Sequence, residues 1–270
     1  MKIAGHSLML GKGYTVPAAV EVLSRLGYEG VEWRVRDDFH LPLSTLEEKA
    51  AEAAGLCEKA GLEIPALSTY LPVGETEAAA ALLQTAATIG CPLVRLLAPQ
   101  YDGSTPYSSL LEEARRGLSR LEPVCRQTGV KAVVALHMGN IAPSASAALR
   151  LVEGFSPECI GIILDPGNMV CDGRENWKMG LQILGAYLAH VHVKNGGWFY
   201  SEGEGWRSGW TALDKGIVDW GKVVSLLAES GYQGWLSVED FSDSPVEQKL
   251  EEDIALLREY LDAAEPTAGG

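Results

Sequence analysis

Short apolar runs rich in β-branched residues recur along the chain, as KIAGHSL, GVEWRV, EIPALST, CPLVRLL, KAVVALH, IGIILDP, AHVHVKN and WLSVEDF. Between them apolar residues return at helical spacing, as Val16, Val20, Val22, Leu23 and Leu26 in one segment and Val223, Val224, Leu226 and Leu227 in another. The first pattern predicts buried strands and the second predicts amphipathic helices packed upon them. Gly27, Gly61, Gly90, Gly129 and Gly231 each stand shortly before the next strand, where a left-handed C-terminal cap ends a helix. Strand starts fall near residues 2, 30, 63, 92, 131, 160, 189 and 235, a step of roughly 30 residues that suits a strand–helix repeat.

Eight such units predict an α/β fold, a (β/α)8 TIM barrel in a single domain. The rival is an open doubly wound sheet, which usually carries a glycine-rich phosphate loop after an early strand. The first turn here, LMLGKGYTV, has Gly-x-Gly without the full GxGxxG pattern, and eight near-equal units close a barrel with nothing left over. No Pro- or Ser-rich linker divides the chain. The barrel is expected over residues 1–264, with 265–270, EPTAGG, as a C-terminal tail.

Composition narrows the partners. The 270 residues carry 22 Lys and Arg against 36 Asp and Glu, a net charge of −14. Nucleic-acid binding draws on clustered Lys and Arg, and no basic stripe is present, so no nucleic-acid partner is expected. The apolar stretch at the N-terminus is too short for a secretory segment or a membrane span, so a cytoplasmic protein with no membrane partner is expected. Five cysteines, Cys57, Cys91, Cys125, Cys159 and Cys171, lack CxxC spacing and read as small packing residues.

The chemistry of such barrels lies at the C-terminal ends of the strands. There the sequence places Glu32 and Arg34 on strand 2, His137 after strand 5, Asp165 after strand 6, His190, His192 and Lys194 along strand 7, and Glu239 after strand 8. Residues two apart share a strand face, so His190, His192 and Lys194 point together, as do Ser237, Glu239 and Phe241. Asp165, His192 and Glu239 form a mixed nitrogen and oxygen set suited to a divalent metal. The bland alternative is that each is satisfied locally, the Asp capping a helix and the His bonding to backbone.

The runs GYEGVEWR, ILDPGNM, HVHVKNG and DKGIVDWGKVVSLLAESGYQGWLSVED resemble the sugar phosphate isomerase/epimerase superfamily, the xylose isomerase-like TIM barrels, over nearly the whole chain. The resemblance implies a divalent metal (Mn, Co, Zn, Mg or Fe) held by residues at the ends of strands 5 to 8. By position Asp165, His192 and Glu239 are three of those ligands. Family members often carry Glu-x-His at the end of strand 5, and aligning its His with His137 puts Ala135 where the Glu belongs. Asn168 likewise stands where many relatives have a His. His137 then either fills the vacant coordination position, serves as a second acid/base beside Glu239, or only hydrogen-bonds substrate.

Substrate-binding candidates are Glu32, His6, Lys194 and the loop GGWFYSEGEGWRSGW, where Trp198, Trp206 and Arg207 offer stacking faces and a fork for a hydroxyl or carboxylate. That loop reads equally as a lid or as aromatics packed on the barrel or a subunit contact, which leaves room for a homo-oligomer. His6 suits a pocket-lining or a core role, and His40 reads as a surface residue. Phosphate recognition is disfavoured, because no anion nest or Lys/Arg pair appears at strands 7 and 8.

The resemblance implies a metal-dependent isomerase or epimerase acting on a small sugar or polyol through an enediolate, with Glu239 and His137 moving protons. A metal-dependent lyase of the same superfamily, a dehydratase or C-glycoside-cleaving enzyme, is the alternative, and the missing strand 5 Glu shifts weight toward it. A barrel that has lost activity with that Glu is the third reading.

Overall fold

The computed structural model describes residues 1–264; the tail expected at 265–270 lies outside the described residues. Among the described residues ten strands are present: β1 (Lys2–His6), β2 (Gly30–Arg34), β3 (Leu67–Pro72), β4 (Leu93–Leu97), β5 (Lys131–Ala135), β6 (Ile160–Leu164), β7 (Leu188–Val193), β8 (Asn195–Ser201), β9 (Gly205–Thr211) and β10 (Trp235–Val238). Among the described residues nine α-helices run between and after them: α1 (Val16–Leu26), α2 (Leu46–Ala60), α3 (Thr76–Thr88), α4 (Tyr107–Thr128), α5 (Ala145–Val152), α6 (Pro166–Cys171), α7 (Trp177–Leu184), α8 (Trp220–Glu229) and α9 (Val246–Ala264).

Strands β1 to β7 and β10 close a parallel barrel in the order β1-β2-β3-β4-β5-β6-β7-β10 and back to β1. This is the (β/α)8 barrel the repeat predicts. The third strand begins at Leu67 rather than near residue 63, since Glu63 makes only an isolated bridge to Gly30 and Pro65 can donate no ladder bond. All five predicted helix stops adopt positive φ, so glycine at these positions avoids the strain that a side chain would bring.

The apolar residues sort into two bodies because strand side chains alternate. Ile160, Ile162 and Leu164 of β6 face outward to the helices, as do Val191 and Val193 of β7, and join the large shell between barrel and helices. Inside the barrel a small cluster of Ala66, Leu93, Val133, Ala135 and Ile163 fills the interior. The inward positions that follow on these strands are polar and buried: Arg95 on β4, Asp165 after β6, His190 and His192 on β7, and Ser237 on β10.

Strands β8 and β9 form a separate antiparallel hairpin directly after β7. It is the Trp-rich loop of the sequence, and its far end is exposed, with Phe199, Tyr200 and Trp206 facing solvent. Four of the five cysteines are buried, Cys171 is half-buried, and all are free. Burial pushes the Cys57 thiol up to about 11 and that of Cys91 to about 12, so both are unreactive packing residues. Among the described residues no helix is long and apolar enough to cross a membrane.

Candidate functional site

Glu32, the inward residue of β2, sits at the centre of the polar layer with no solvent exposure. Its Oε2 accepts from His190 Nε2 at 2.9 Å and its Oε1 from His192 Nε2 at 3.1 Å. Burial pushes the Glu32 carboxyl up, but the neighbouring histidines His192, His6 and His190 outweigh it and hold the group well below the usual carboxylate range. The i, i+2 spacing of His190 and His192 lets one carboxylate take both rings.

His192 turns its other nitrogen toward the mouth. Its Nδ1 lies 3.4 Å from Glu239 Oε2 and 3.6 Å from Asp165 Oδ2. Burial favours the neutral ring, yet the charges of Glu239 and Glu32 win and raise this imidazole to about 10. These carboxylates favour the charged ring; with Nε2 donating to Glu32, Nδ1 is the nitrogen that would give up its proton to take a cation.

The next inward residue, Lys194, places its ammonium 2.6 Å from Glu239 Oε2 and 2.8 Å from Asp165 Oδ2. The same ammonium lies 5.6 Å from the Trp210 ring centroid and 5.5 Å from that of Phe241. Burial opposes the charge, but Asp165 and Glu239 more than offset it, and the lysine is held above its ordinary range. Glu239 is correspondingly kept well below its range: burial raises it, and Lys194, His192 and His6 pull it down further.

Asp165 does two things at once. It caps α6, accepting the Asn168 backbone N–H on Oδ1 at 2.9 Å, and it accepts from the Asn168 side-chain amide on Oδ2 at 2.7 Å. Asn168, which stands in place of the family His, also donates to the Leu136 carbonyl. With Lys194 counted, three donors besides His192 converge on this carboxylate.

His6, at the end of β1, faces the same group, its Nε2 being 3.4 Å from Glu239 Oε1 and 3.5 Å from Glu32 Oε1. Its Nδ1 accepts the Leu8 backbone N–H, so the neutral ring carries its proton on Nε2. Burial is the main cause that lowers this ring to about 4, against the pull of Glu32 and Glu239. His6 thus remains neutral near pH 7.

His137 lines the same cavity, of about 320 Å³, with Tyr70, Arg95, Asp165, Lys194 and Glu239. Its Nδ1 lies 2.8 Å from the Met138 carbonyl, which can only accept. Nδ1 must therefore carry the proton, and Nε2 is left as the basic nitrogen. Burial first, then Arg95 and Lys194, lower this ring, offset in part by its bond to Met138 and by Asp165. Ala135, two residues earlier on the same face, is buried in the barrel interior.

The aromatic hairpin divides into two parts. Trp210 lines the cavity, whereas Trp198 is half-exposed and donates its indole N–H to the Val170 carbonyl. Trp206 is 65% exposed and packs on Tyr200, and Arg207 pairs with the exposed Glu204. Trp198, Trp206 and Arg207 thus stand apart from the cavity, while Asp165, His192, Lys194, Glu239 and His137 line it and the buried Glu32 and His6 support His192 and Glu239 from behind. His40 is half-buried rather than a surface residue, because its ring packs edge-on against Trp33 and its Nε2 bonds the Tyr14 carbonyl. Arg95 and Tyr70 escaped the sequence reading. An arginine inside the apolar run LVRLL was the available signal.

The donor chemistry fits a divalent cation. His6, His192 and Glu239 bring one donor atom each within 4.8 Å of one another, and Glu32, His190 and His192 form a second such group. His6 can offer its Nε2 only by giving up the Leu8 bond. Glu239 and His192 are therefore the donors best placed for a cation, with Asp165 alongside, and Lys194 supplies positive charge there already.

Residues 20–260 match the family of xylose isomerase-like TIM barrels, and the chain belongs to that family. Among curated proteins it is similar to an inosose dehydratase of Lacticaseibacillus casei, 27% identical over 165 residues covering 56% of this chain and 54% of the relative. It is also similar to an inosose dehydratase of Bacillus cereus, 28% identical over 50% of this chain and 48% of the relative. The match therefore spans about half the length of these relatives.

Among solved structures the fold is shared with the 3-keto-D-glucoside 4-epimerase YcjR of E. coli, at TM-score 0.77 and 16% identity over 96% of this chain and 99% of that one. It is shared with the IOLI protein bound to zinc, at TM-score 0.79 and 16% identity over 99% and 100% of the two chains. A xylose isomerase-like barrel from Mycobacterium smegmatis in complex with magnesium aligns at TM-score 0.76 and 17% identity over 98% of each chain.

Proposed function

We infer that this member of the xylose isomerase-like family is a lyase that removes water from a keto sugar or keto polyol. The observation that carries the reading is the state of the two candidate bases. Glu239 is tied to Lys194 and held well below its usual range, which makes it a poor proton acceptor. His137 presents a basic Nε2 to the cavity, its tautomer set by the Met138 carbonyl. One effective base suits elimination. Epimerisation and isomerisation, as the family practises them, use carboxylates on two sides of the reacting carbon, and Ala135 removes one of them. The 27–28% identity to inosose dehydratases supports the same choice.

His137 takes the proton from the carbon beside the carbonyl. The C–H pair forms the new C=C bond, the bond from the neighbouring carbon to its hydroxyl breaks, and the imidazolium returns its proton to that oxygen, releasing water. Lys194 offsets negative charge that develops on the carbonyl oxygen, and Asp165 and Glu239 hold it in place. A divalent cation held by His192 and Glu239, with Asp165 beside them, would supply Lewis-acid polarisation of the carbonyl.

The test is a panel of inososes and keto sugars incubated with the enzyme and Mn²⁺ in D₂O and followed by NMR. The expected result is loss of a hydroxyl and appearance of an unsaturated ketone. Deuterium incorporation with every hydroxyl retained would instead establish the isomerase or epimerase reading, and neither change across the panel would favour the inactive barrel.

A further inference from the structure

Beside His137 and across the barrel from Lys194 and Glu239, one wall is built from two buried arginines. In the closed strand order β2 lies across from β6, β3 from β7, and β4 from β10. Arg34 at the end of β2 is 1% exposed and Arg95 on β4 is 4% exposed. Both stack over Tyr70 of β3, with guanidinium carbons 3.6 Å and 4.6 Å from the ring centroid.

These cations lack the partners that buried charges need. Nε and Nη1 of Arg34 and Nε of Arg95 are shut from solvent without a hydrogen bond. Arg95 Nη1 donates to the Thr69 carbonyl at 3.2 Å. Among the described residues neither arginine has a carboxylate within 4.0 Å, since the nearby acids are engaged: Glu32 by His190 and His192, Asp165 by Asn168 and Lys194, Glu239 by Lys194 and His6. An aromatic face offsets part of the burial cost but satisfies none of the N–H donors.

We propose that Arg34 and Arg95, aligned by Tyr70, form a carboxylate-binding wall, so that the substrate is a sugar acid or polyhydroxylated keto acid rather than a neutral sugar. This rests on the reading of the cavity as a substrate site for dehydration and names the class of molecule that enters it. The cavity shared by Arg95, Tyr70, His137, Lys194 and Glu239 has a volume of about 320 Å³, and Arg34 and Tyr70 line an adjoining recess. A carboxylate on the arginine wall leaves the carbons beyond it facing His137 and Lys194. Guanidinium forks match the planar, two-oxygen geometry of a carboxylate. A phosphate is the poorer match, because at the ends of β7 and β10, where such barrels bind phosphate, Lys194 is already held by the carboxylates of Glu239 and Asp165.

The test is isothermal titration calorimetry of the whole protein with D-glucuronate, D-galacturonate and D-mannuronate, each beside its neutral parent aldose and that aldose's 6-phosphate. The wild type is expected to bind at least one uronate about tenfold or more tightly than its parent sugar, and more tightly than the 6-phosphate. Arg34→Met and Arg95→Met should each bring uronate and parent to within about threefold. Absence of a tenfold preference in the wild type, a preference for the phosphate, or a preference that survives both substitutions overturns the proposal. The wild-type comparison needs no variant to fold. Acid preference without water loss would leave the wall standing and defeat the dehydratase reading, whereas equal turnover of neutral and acidic ketoses would do the reverse.

Discussion

The ammonium of Lys194 lies 2.6 Å from Glu239 Oε2 and links it to Asp165, so a cation supplied by the chain itself stands between two carboxylates assigned from sequence as metal ligands. Lys194→Met removes that charge and leaves two buried carboxylates facing one another. A cost of about 3–5 kcal/mol is expected. Mn²⁺ should raise the melting temperature of the variant more than that of the wild type, because the ion replaces the missing charge. Thermal denaturation with and without Mn²⁺ measures this, and equal shifts would speak against it.

A second buried acidic pair, Asp240 and Asp253, predicts a pH-dependent stability. Asp253 of α9 sits against Asp240; burial and then that neighbour raise its carboxyl to about 8, and Lys249 opposes them only in part, its ammonium donating to the Ser242 carbonyl. The folded state holds this proton more tightly than the unfolded chain, whose Asp titrates near 3.8. The contribution is fully present below about 4 and is lost as pH rises toward about 8. Asp253→Asn should flatten that fall and raise the melting temperature at pH 8 by about 2–4 °C for each kcal/mol recovered. A variant that follows the wild-type pH curve would contradict the assignment.

Gly117 tests the packing of the barrel shell. In the interior of an exposed helix, Gly to Ala usually gains about 1 kcal/mol. Here α4 crosses the loop after β3 so closely that a Cβ would run into the Val73 carbonyl. Gly117→Ala is therefore expected to destabilise by about 1–3 kcal/mol, read from urea unfolding. A gain in stability would show that the helix has room to shift.

The hairpin separates a wall of the site from an exposed tip. Trp206→Ala should change neither turnover nor stability beyond about 0.5 kcal/mol, since its ring faces solvent. Trp210→Ala removes one of two aromatic faces beside Lys194 and should weaken substrate binding several-fold. Equal effects of the two substitutions would mean that the hairpin acts as one lid.

Much of this architecture was legible from spacing. Gly27, Gly61, Gly90, Gly129 and Gly231 punctuate the repeat because only left-handed caps of that kind end helices so abruptly, and all five adopt positive φ. Asp165, His192 and Glu239 were visible because each ends or nearly ends an apolar strand. What could not be read was direction and distance. Nothing in HVHVKNG tells that Lys194 reaches two carboxylates, or in GGWFYSEGEGWRSGW that Trp210 turns inward while Trp206 and Arg207 do not. The Arg34, Tyr70 and Arg95 wall joins three strands separated in sequence by some 30 residues each, a contact created by the parallel pairing of β2, β3 and β4.

The central claim is that His137, with Nε2 basic and Nδ1 bound to the Met138 carbonyl, moves the proton while Glu239 holds charge. The most direct test is the turnover of His137→Gln on whichever keto substrate the wild type dehydrates, with substrate affinity measured on the same preparation. The account predicts a fall in kcat of about 10²-fold or more with affinity unchanged within threefold. A kcat within threefold of wild type would contradict it.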